Sequence, residues 1–216
     1  MNLKNLLSGV VALEEASSPV NGKISVMKSI GYGTYFQVGN LTQSGGVMYD
    51  IWKTTLKKIK QMTNDPQSVL ILGLGGGSCA VISRKQWPYA IITGVDFDKT
   101  IVDLGNKYLN LGKTDAEIVV DDANEFIEKS ANDRKEYNLI LVDLYVGQEF
   151  PVAFETDKFI ENVGKSLPTG GVAVFNRLYS GEKRPASMAF GKKLEGYFTK
   201  VEYFFPEANV MLICTK

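Results

Sequence analysis

The chain has 216 residues, enough for one domain with a sizeable hydrophobic core and a small appendage. Its hydrophobic content of 44% and charged content of 22% are ordinary for a soluble globular protein, and 24 basic residues balance 24 acidic ones. No net field therefore favours nucleic acid or an anionic membrane as a partner. Histidine is absent, which excludes His-based triads, His-ligated zinc and imidazole chemistry.

The N-terminal stretch, MNLKNLLSGVVALEEASS, has some features of a signal peptide, but Ser8 and Gly9 interrupt its apolar part and Glu14 follows soon after. No stretch reaches the ~20 apolar residues of a membrane span. The two cysteines, Cys79 and Cys214, form neither a disulfide framework nor a metal-ligand pattern and fit a reducing compartment. We therefore expect a cytoplasmic protein without a membrane partner, a nucleic-acid partner or a metal.

Two kinds of structure are predicted before residue 65. Residues 23–38 (KISVMKSIGYGTYFQV) are rich in β-branched and aromatic residues and indicate a hairpin or small sheet. In the following segment, helical spacing relates five residues: Ile51, Trp52, Thr55, Leu56 and Ile59. We predict that residues 1–64 form a small β-rich segment plus a linking helix, and that residues 65–216 form a Rossmann-like domain.

Strand-like and helix-like segments alternate from residue 65 onward. The predicted strands are residues 69–72, 90–95, 117–120, 139–142 and 172–175, and then a closing pair at 200–205 and 210–215. Helices are predicted from Ser78, which could act as an N-cap, around residues 101–108 and 125–130, after the cap Thr156, and around 187–198. The pattern predicts an α/β fold: a doubly wound, seven-stranded sheet whose last strand runs antiparallel.

A glycine-rich loop follows the first of these strands, with Gly73, Gly75 and Gly77 spaced as G-x-G-x-G. In doubly wound sheets, ligands bind beyond the carboxyl ends of the strands. The dinucleotide fingerprint would need Gly or Ala at Ser78, and the Gly-Lys-Ser/Thr of a P-loop is missing. The remaining alternatives are another nucleotide-like cofactor or tight strand–helix packing alone.

Acidic residues follow the next two strands. Asp96 ends the second strand, about 20 residues past the glycine loop, where an acid can accept hydrogen bonds from both ribose hydroxyls. Asp122 and Ala123 follow the third strand, where a carboxylate or backbone group can reach an adenine edge. Each acid alone could instead serve a turn or a helix cap. Together they favour a nucleoside-bearing cofactor.

The loop glycines, Asp96, Asp122, Asp143 and the PTGG turn are similar, in order and spacing, to class I S-adenosylmethionine-dependent transferases. Within that class the chain resembles the spermidine-synthase-like group, through SSPVNGKISV, NLTQSGGVMYDIW and DLYVGQEFPVAFETDKF. The resemblance implies a class I methyltransferase fold, S-adenosylmethionine or its decarboxylated form as cofactor, and a homodimer. It also implies that Gln43 touches the nucleoside end of the cofactor, although an exposed loop glutamine is an equal alternative.

The resemblance also indicates which reaction to expect. Spermidine synthases of this group use a Tyr-His-Glu segment, an acid in the glycine loop and two acids after the fourth strand. This chain keeps Tyr49 and Asp143 but has Gly76 in the loop and Val146 at the second acid's position. Few negative groups then remain for a diamine. We therefore expect a methyltransferase acting on a small-molecule or amine acceptor, with an aminopropyltransferase or a catalytically silent cofactor-binding protein as alternatives.

Two residues are predicted to be catalytic. Asp143 is expected to position the acceptor or to take its proton, and it is also a candidate cofactor contact. Tyr49 is the second, and Trp52 and Tyr145 are expected to line the acceptor pocket with it. Core packing is the alternative for Trp52. Cys79 is expected to be a small buried residue, since nothing indicates an activated thiol.

Overall fold

The computed structural model describes residues 9–147 and 149–216. The part of the N-terminal prediction that falls on residues 1–8 lies outside the described residues. The chain begins with an antiparallel sheet whose strands are adjacent in chain order. These strands are β1 (Val10–Ser18), β2 (Gly22–Ser29), β3 (Gly33–Val38) and β4 (Leu41–Gly45). The small sheet predicted around residues 23–38 is thus present and larger than expected.

The sequence pattern did not indicate the strand β1. It carries Glu14 and Glu15, and its register with β2 shifts between Ala12 and Glu14. Contacts from elsewhere in the fold hold it in place. Both Lys107 Nζ and Tyr108 Oη donate to Glu14 Oε2, which ties β1 to a helix far along the chain.

A long helix, α1 (Gly46–Met62), links the small sheet to the rest of the chain. Its buried side includes the five residues predicted from helical spacing, Ile51, Trp52, Thr55, Leu56 and Ile59. Apolar residues at this spacing lie on one helix face and pack together on the core. The linking helix is therefore confirmed.

The second sheet has seven strands in the order β10-β11-β9-β8-β5-β6-β7. Their bounds are β5 Ser68–Leu72, β6 Ile91–Asp96, β7 Glu117–Val120, β8 Leu139–Val142, β9 Val172–Leu178, β10 Lys200–Phe204 and β11 Asn209–Thr215. Strands β7, β6, β5, β8 and β9 pair in parallel, and β11 runs antiparallel to both β9 and β10. This confirms the predicted doubly wound sheet with an antiparallel last strand, the class I methyltransferase fold.

Five further helices connect these strands: α2 Ser78–Gln86, α3 Lys99–Tyr108, α4 Ala123–Asn132, α5 Asp157–Lys165 and α6 Lys183–Leu194. Thr156 caps α5 as predicted, since its side chain accepts from Phe159 N. Ser78 does not cap α2, however. Gly77 holds the cap position with a φ of 86°, and Ser78 Oγ instead accepts from Gly45 N at 2.8 Å, next to the start of α1.

The central strands of the seven-stranded sheet are buried on both faces, as the apolar run after residue 68 suggests. Val69 and Ile71 face a core shared with the N-terminal sheet, α1, α2 and α3, whereas Leu70 and Leu72 face the core beneath α4, α5 and α6. Parallel strands covered on both sides are apolar throughout for this reason. In the described part of the chain, no helix combines the length and apolar character needed to cross a membrane.

Candidate functional site

A cavity of ≈ 470 Å³ lies at the carboxyl ends of the parallel strands. This is where doubly wound sheets bind ligands. The structure brings together nine of the predicted site residues along its lining: Gln43, Trp52, Gly73, Gly75, Asp96, Asp122, Ala123, Asp143 and Tyr145. Two others, Gly77 and Tyr49, are not among the lining residues.

The backbone N–H groups of the glycine loop already have partners within the protein. Gly75 N donates to Asp96 Oδ2 at 2.6 Å, and Gly76 N donates to Ser44 Oγ at 2.7 Å. Gly77 N donates to Leu74 O at 2.9 Å. A phosphate site at a helix N-terminus needs several such N–H groups directed at the ligand. The arrangement agrees with the absence of a dinucleotide or P-loop fingerprint.

Close packing explains the glycines in this loop. A Cβ added at Gly73 would lie 2.1 Å from Asp143 O, and one added at Gly76 would lie 2.5 Å from Phe36 Cε2. At Gly77 it would lie 2.5 Å from Leu111 Cδ1. Tight packing, which was the alternative to cofactor binding for these glycines, is therefore present in the structure. Gly73 and Gly75 also line the cavity, so the packing role does not exclude the predicted ligand role.

Asp96 lies where β6 meets the cavity, and two backbone groups orient its carboxylate. Oδ2 accepts from Gly75 N, and Oδ1 accepts from Asp98 N at 2.8 Å. Burial raises the pKa of Asp96 above its ordinary value, and these hydrogen bonds oppose that shift. The carboxylate is held at the cavity edge with lone pairs left for a further donor.

Asp122 caps a helix, which was the predicted alternative to contact with a cofactor. It is the N-cap of α4, and its Oδ1 accepts from Asn124 N at 2.7 Å and from Glu125 N at 3.2 Å. Asp122 and Ala123 nevertheless line the cavity. The lining near the two acids also includes Asp121, Val95 and the exposed ring of Phe97. Acids beside flat apolar surfaces suit a nucleoside, whose ribose donates hydrogen bonds and whose base stacks.

Asp143, directly after β8, is the central polar residue of the site. Trp52 Nε1 donates to its Oδ2 at 2.7 Å, and Asn176 Nδ2 donates to its Oδ1 at 2.7 Å. Burial raises the pKa of Asp143 to about 6, against the opposing effect of these two donors. A carboxylate with a pKa near the working pH can accept a proton and release it again.

Trp52 belongs both to the hydrophobic core and to the lining of the cavity. Its side chain is fully buried, yet it lines the cavity and its indole N–H holds Asp143. Tyr145 also lines the cavity, and its hydroxyl accepts from Leu178 N at 2.7 Å. Burial raises the pKa of the Tyr145 phenol far above its ordinary value, so the hydroxyl stays protonated.

Gln43 lies in the strand β4 rather than in an exposed loop. It lines the cavity, and its Nε2 donates to Gly147 O at 3.0 Å across the site. Its position is therefore compatible with the predicted contact to a bound nucleoside, which stays a prediction.

Tyr49 contacts α2 and is not among the residues that line the cavity. Its hydroxyl accepts from Lys85 Nζ at 3.1 Å, and that ammonium lies 5.5 Å from the centre of the ring. The structure therefore does not bring the predicted catalytic Tyr49 to the cavity. Tyr49 and Trp52 are three residues and about 60° apart around the helix axis, and the tyrosine side chain extends toward Lys85.

Two asparagines of the site were not among the predicted site residues. Asn176 on β9 holds Asp143, and Asn209 at the start of β11 donates to Asn176 Oδ1 at 2.7 Å. Position alone could have indicated Asn176, a polar residue at the carboxyl end of a buried strand. The sequence around Asn209 gives no signal of a site residue. Asn209 is the first residue of the antiparallel strand β11, so the amino end of that strand, and not its carboxyl end, lies at the site.

Within the described residues, neither thiol nor metal chemistry is supported at the cavity. Cys79 lines it, but the thiol is buried and its pKa is raised well above the ordinary value by desolvation, so the reactive thiolate is disfavoured. Among residues 9–147 and 149–216, no group of three or more Cys, Asp or Glu side chains is arranged to hold a metal ion.

Comparison with known proteins relates the chain to two kinds of enzyme. A "Probable polyamine aminopropyl transferase" from Bifidobacterium longum is 28% identical over 66% of this chain and 35% of its own length. An "eEF1A lysine and N-terminal methyltransferase" from Bos taurus is 24% identical over 74% of this chain and 24% of its own length. The chain thus spans only about a quarter to a third of these relatives.

Solved structures agree with the fold. Spermidine synthase from Thermotoga maritima superposes with a TM-score of 0.78 over 95% of this chain and 72% of that one, at 17% sequence identity. The family model described as "Spermine/spermidine synthase domain" matches residues 50–207, which include the glycine loop, Asp96, Asp122 and Asp143. Since this match covers most of the chain, the protein belongs to the spermine/spermidine synthase domain family, whose fold is that of S-adenosylmethionine-dependent transferases.

Proposed function

We propose that this protein is an S-adenosylmethionine-dependent methyltransferase acting on a small-molecule or amine acceptor. The observation that carries the choice of reaction is the packing at Gly76, where the buried ring of Phe36 occupies the space that an acidic side chain would need. The loop is therefore not built to supply a second carboxylate for a polyamine. Transfer of a methyl group requires no such carboxylate.

The cavity suits the cofactor in size and chemistry. Its volume of ≈ 470 Å³ lies in the ordinary range for small-molecule sites. Asp96 would accept hydrogen bonds from the ribose hydroxyls, and Asp122 with Ala123 would meet the adenine edge. The loop N–H groups are occupied, which favours a ligand without phosphates.

Bound S-adenosylmethionine supplies a methyl group already activated by its sulfonium. The protein's share of the work is then to hold a nucleophile in line and to accept its proton. Asp143 is the group that would accept that proton, and apolar residues such as Leu144 and Phe154 line the same cavity. At pH 7, a pKa of about 6 leaves most Asp143 side chains ionised and ready to do so.

An aminopropyltransferase is the second candidate. Several relatives carry that name, and Glu207, in the exposed turn between β10 and β11, lines the cavity and offers one more negative charge. A cofactor-binding protein without transferase activity is the third. A homodimer remains a proposal from the family resemblance, and size-exclusion chromatography with light scattering tests it.

Calorimetry separates these candidates. We expect S-adenosylmethionine to bind more tightly than its decarboxylated form; a clear preference for the decarboxylated form, with spermidine formed from putrescine and lost in Asp143→Asn, would establish the second candidate instead. Binding without transfer to any amine, hydroxyl or carboxylate in a broad acceptor panel would favour the third. Asp103→Asn, an exposed change on α3, is the matched control for Asp143→Asn.

A further inference from the structure

A chain of buried polar side chains runs through the site and joins four elements that are distant in sequence. Asn209 on β11 donates to Asn176 on β9, Asn176 donates to Asp143 after β8, and Trp52 on α1 donates to the other oxygen of Asp143, each at 2.7 Å. Asn209, Asn176 and Trp52 are 3%, 1% and 0% exposed. Buried polar groups that are all satisfied specify a single arrangement.

The hydrogen bonds from Asn209 to Asn176 and from Asn176 to Asp143 run in one direction, from donor to acceptor. Asn209 Nδ2 donates to Asn176 Oδ1, and this contact leaves the Asn176 amide nitrogen facing Asp143. If the amide of Asn176 were turned over, its oxygen would face a carboxylate oxygen, which repels it. The contact from Asn209 therefore supports the orientation in which Asn176 presents its amide nitrogen, although Asn209 does not itself touch Asp143.

We propose that Trp52, Asn176 and Asn209 are positioning residues that hold the carboxylate of Asp143 by both oxygens in one orientation for receiving the acceptor's proton. The inference rests on the proposed function, in which Asp143 accepts that proton. It assigns a role to three side chains that would otherwise count as core.

The two side chains that donate to Asp143 are neutral, and this matters as much as their geometry. In the described part of the chain, Asp143 has no salt bridge to lysine or arginine. A cation would stabilise the anion so strongly that it would become a poor base. Neutral N–H donors orient the carboxylate while leaving it basic enough to take a proton.

The other titratable groups near Asp143 do not supply a positive charge. Asp96 on β6 adds negative charge that opposes ionisation of Asp143. Cys79 on α2 and Tyr145 after β8 both interact electrostatically with Asp143, and burial raises the pKa of each, so both are neutral near pH 7. The two neutral donors are therefore the groups that favour the anion.

The second tryptophan provides a matched control. Trp87 is 2% exposed, and its Nε1 donates to Asp65 Oδ1 at 3.0 Å, the same kind of contact as that between Trp52 and Asp143. Trp87 does not line the cavity. Trp52→Phe and Trp87→Phe each remove one buried indole donor from one carboxylate, but Asp65 is exposed whereas Asp143 is desolvated in the site. Trp87→Phe therefore controls for the loss of a tryptophan N–H away from the cavity.

The test is a pH titration of Asp143 by ¹³C NMR in protein labelled at the aspartate carboxyl carbon, with the signal assigned by Asp143→Asn. We expect Trp52→Phe and Asn176→Leu each to raise the midpoint by about one unit or more, as the loss of a hydrogen bond to a charged group predicts. Asn209→Leu should raise it less, and Trp87→Phe should not move it. Wild-type midpoints in both Trp52→Phe and Asn176→Leu would overturn the proposal; Asn209→Leu tests the same chain should either variant fail to fold.

This titration needs neither cofactor nor acceptor, so its result is separable from the proposed function, which calorimetry with S-adenosylmethionine tests. Where transfer is measurable, the acid limb of the kcat/KM profile, which reports the free enzyme, should follow the NMR midpoint in every variant. An acid limb that stays fixed while the midpoint moves would show that Asp143 does not receive the proton. That result would overturn the proposed positioning role.

Discussion

The ring of Phe36, on the N-terminal sheet, fills the space beside Gly76 in the glycine loop: a Cβ at position 76 would lie 2.5 Å from Phe36 Cε2 and 2.8 Å from Leu109 Cδ1. Phe36 is fully buried and cannot move aside without opening the core. The two sheets therefore meet at a point where the loop tolerates only glycine, and this contact bears directly on which acceptor the site can hold.

Gly76→Ala should lower the free energy of unfolding by about 1–3 kcal/mol, the usual range for overpacking a core. Gly76→Asp should lower it further, because the clash is joined by a carboxylate without a cationic partner. Urea unfolding followed by circular dichroism measures both. Gly164→Ala is the control, since nothing lies within 4 Å of the added Cβ. A stable Gly76→Asp variant would show that Phe36 does not exclude an acidic side chain from the loop.

Asp143 should make stability depend on pH. Its pKa rises from 3.8 to about 6 on folding, so the folded state binds a proton more readily than the unfolded chain. The free energy of unfolding should therefore fall as pH rises from about 4 to about 6, by about 3 kcal/mol for this group alone. Acid should restore that stability.

Denaturant unfolding of wild type and Asp143→Asn across this pH range isolates the effect, since other groups titrate in both proteins. The difference between the two curves should change between about pH 4 and pH 6 and be flat above pH 7. A difference that stays constant over the whole range would mean that folding does not raise the pKa of Asp143.

Asp96→Asn should weaken binding of S-adenosylmethionine tenfold or more, since one charge-assisted hydrogen bond contributes about 1.5–3 kcal/mol. The amide has a single acceptor oxygen, so it cannot accept from both Gly75 N and Asp98 N as the carboxylate does. Calorimetry measures the affinity, with Asp103→Asn as control. Unchanged affinity in Asp96→Asn would place the ribose elsewhere.

Arg177 should contribute far more to stability than its neighbour Lys183. The Arg177 guanidinium lies 4.2 Å from the centre of the Phe150 ring and 4.7 Å from that of Phe190, and its Nη1 lies 2.6 Å from Glu155 Oε1 in an ion pair. Arg177→Met should cost about 2–4 kcal/mol, because it removes the cation–π contacts and leaves Glu155 unpaired.

Lys183→Met breaks an exposed ion pair with Glu149 and should change stability by less than about 1 kcal/mol. Thermal unfolding of both variants measures the difference. Equal losses would show that the aromatic contacts of Arg177 contribute little. Because Phe150 and Glu155 flank Pro151 and Phe154 of the cavity lining, Arg177→Met should also weaken cofactor binding.

Local sequence signals were sufficient for most of the elements. Strands 117–120 and 139–142 have their predicted bounds, α1 buries its predicted face, and Thr156 caps α5. Each of these depends on neighbours within a few residues. The last helix begins four residues before its predicted start, at Lys183, because weakly amphipathic ends carry little signal.

The failures arise where distant parts of the chain meet. Strand β1 is held by its pairing with β2 and by contacts to α3, and Ser78 bonds to Gly45 instead of capping its own helix. Tyr49 follows the spacing of a family motif, yet its side chain extends to Lys85 on α2. A motif states which residue is present at a position but not which way its side chain points.

Alternation of strands and helices, the glycine loop and acids at successive strand ends were enough to predict the fold class and the edge of the sheet that carries the cavity. These follow from periodicity and spacing, which are local properties, whereas the family was predicted from a resemblance to known proteins. Only the tertiary structure decided that Phe36 excludes a side chain at Gly76, and that Trp52, Asn176 and Asn209 converge on Asp143. Contacts of that kind join strands and helices far apart in sequence, and their geometry depends on how the whole core packs.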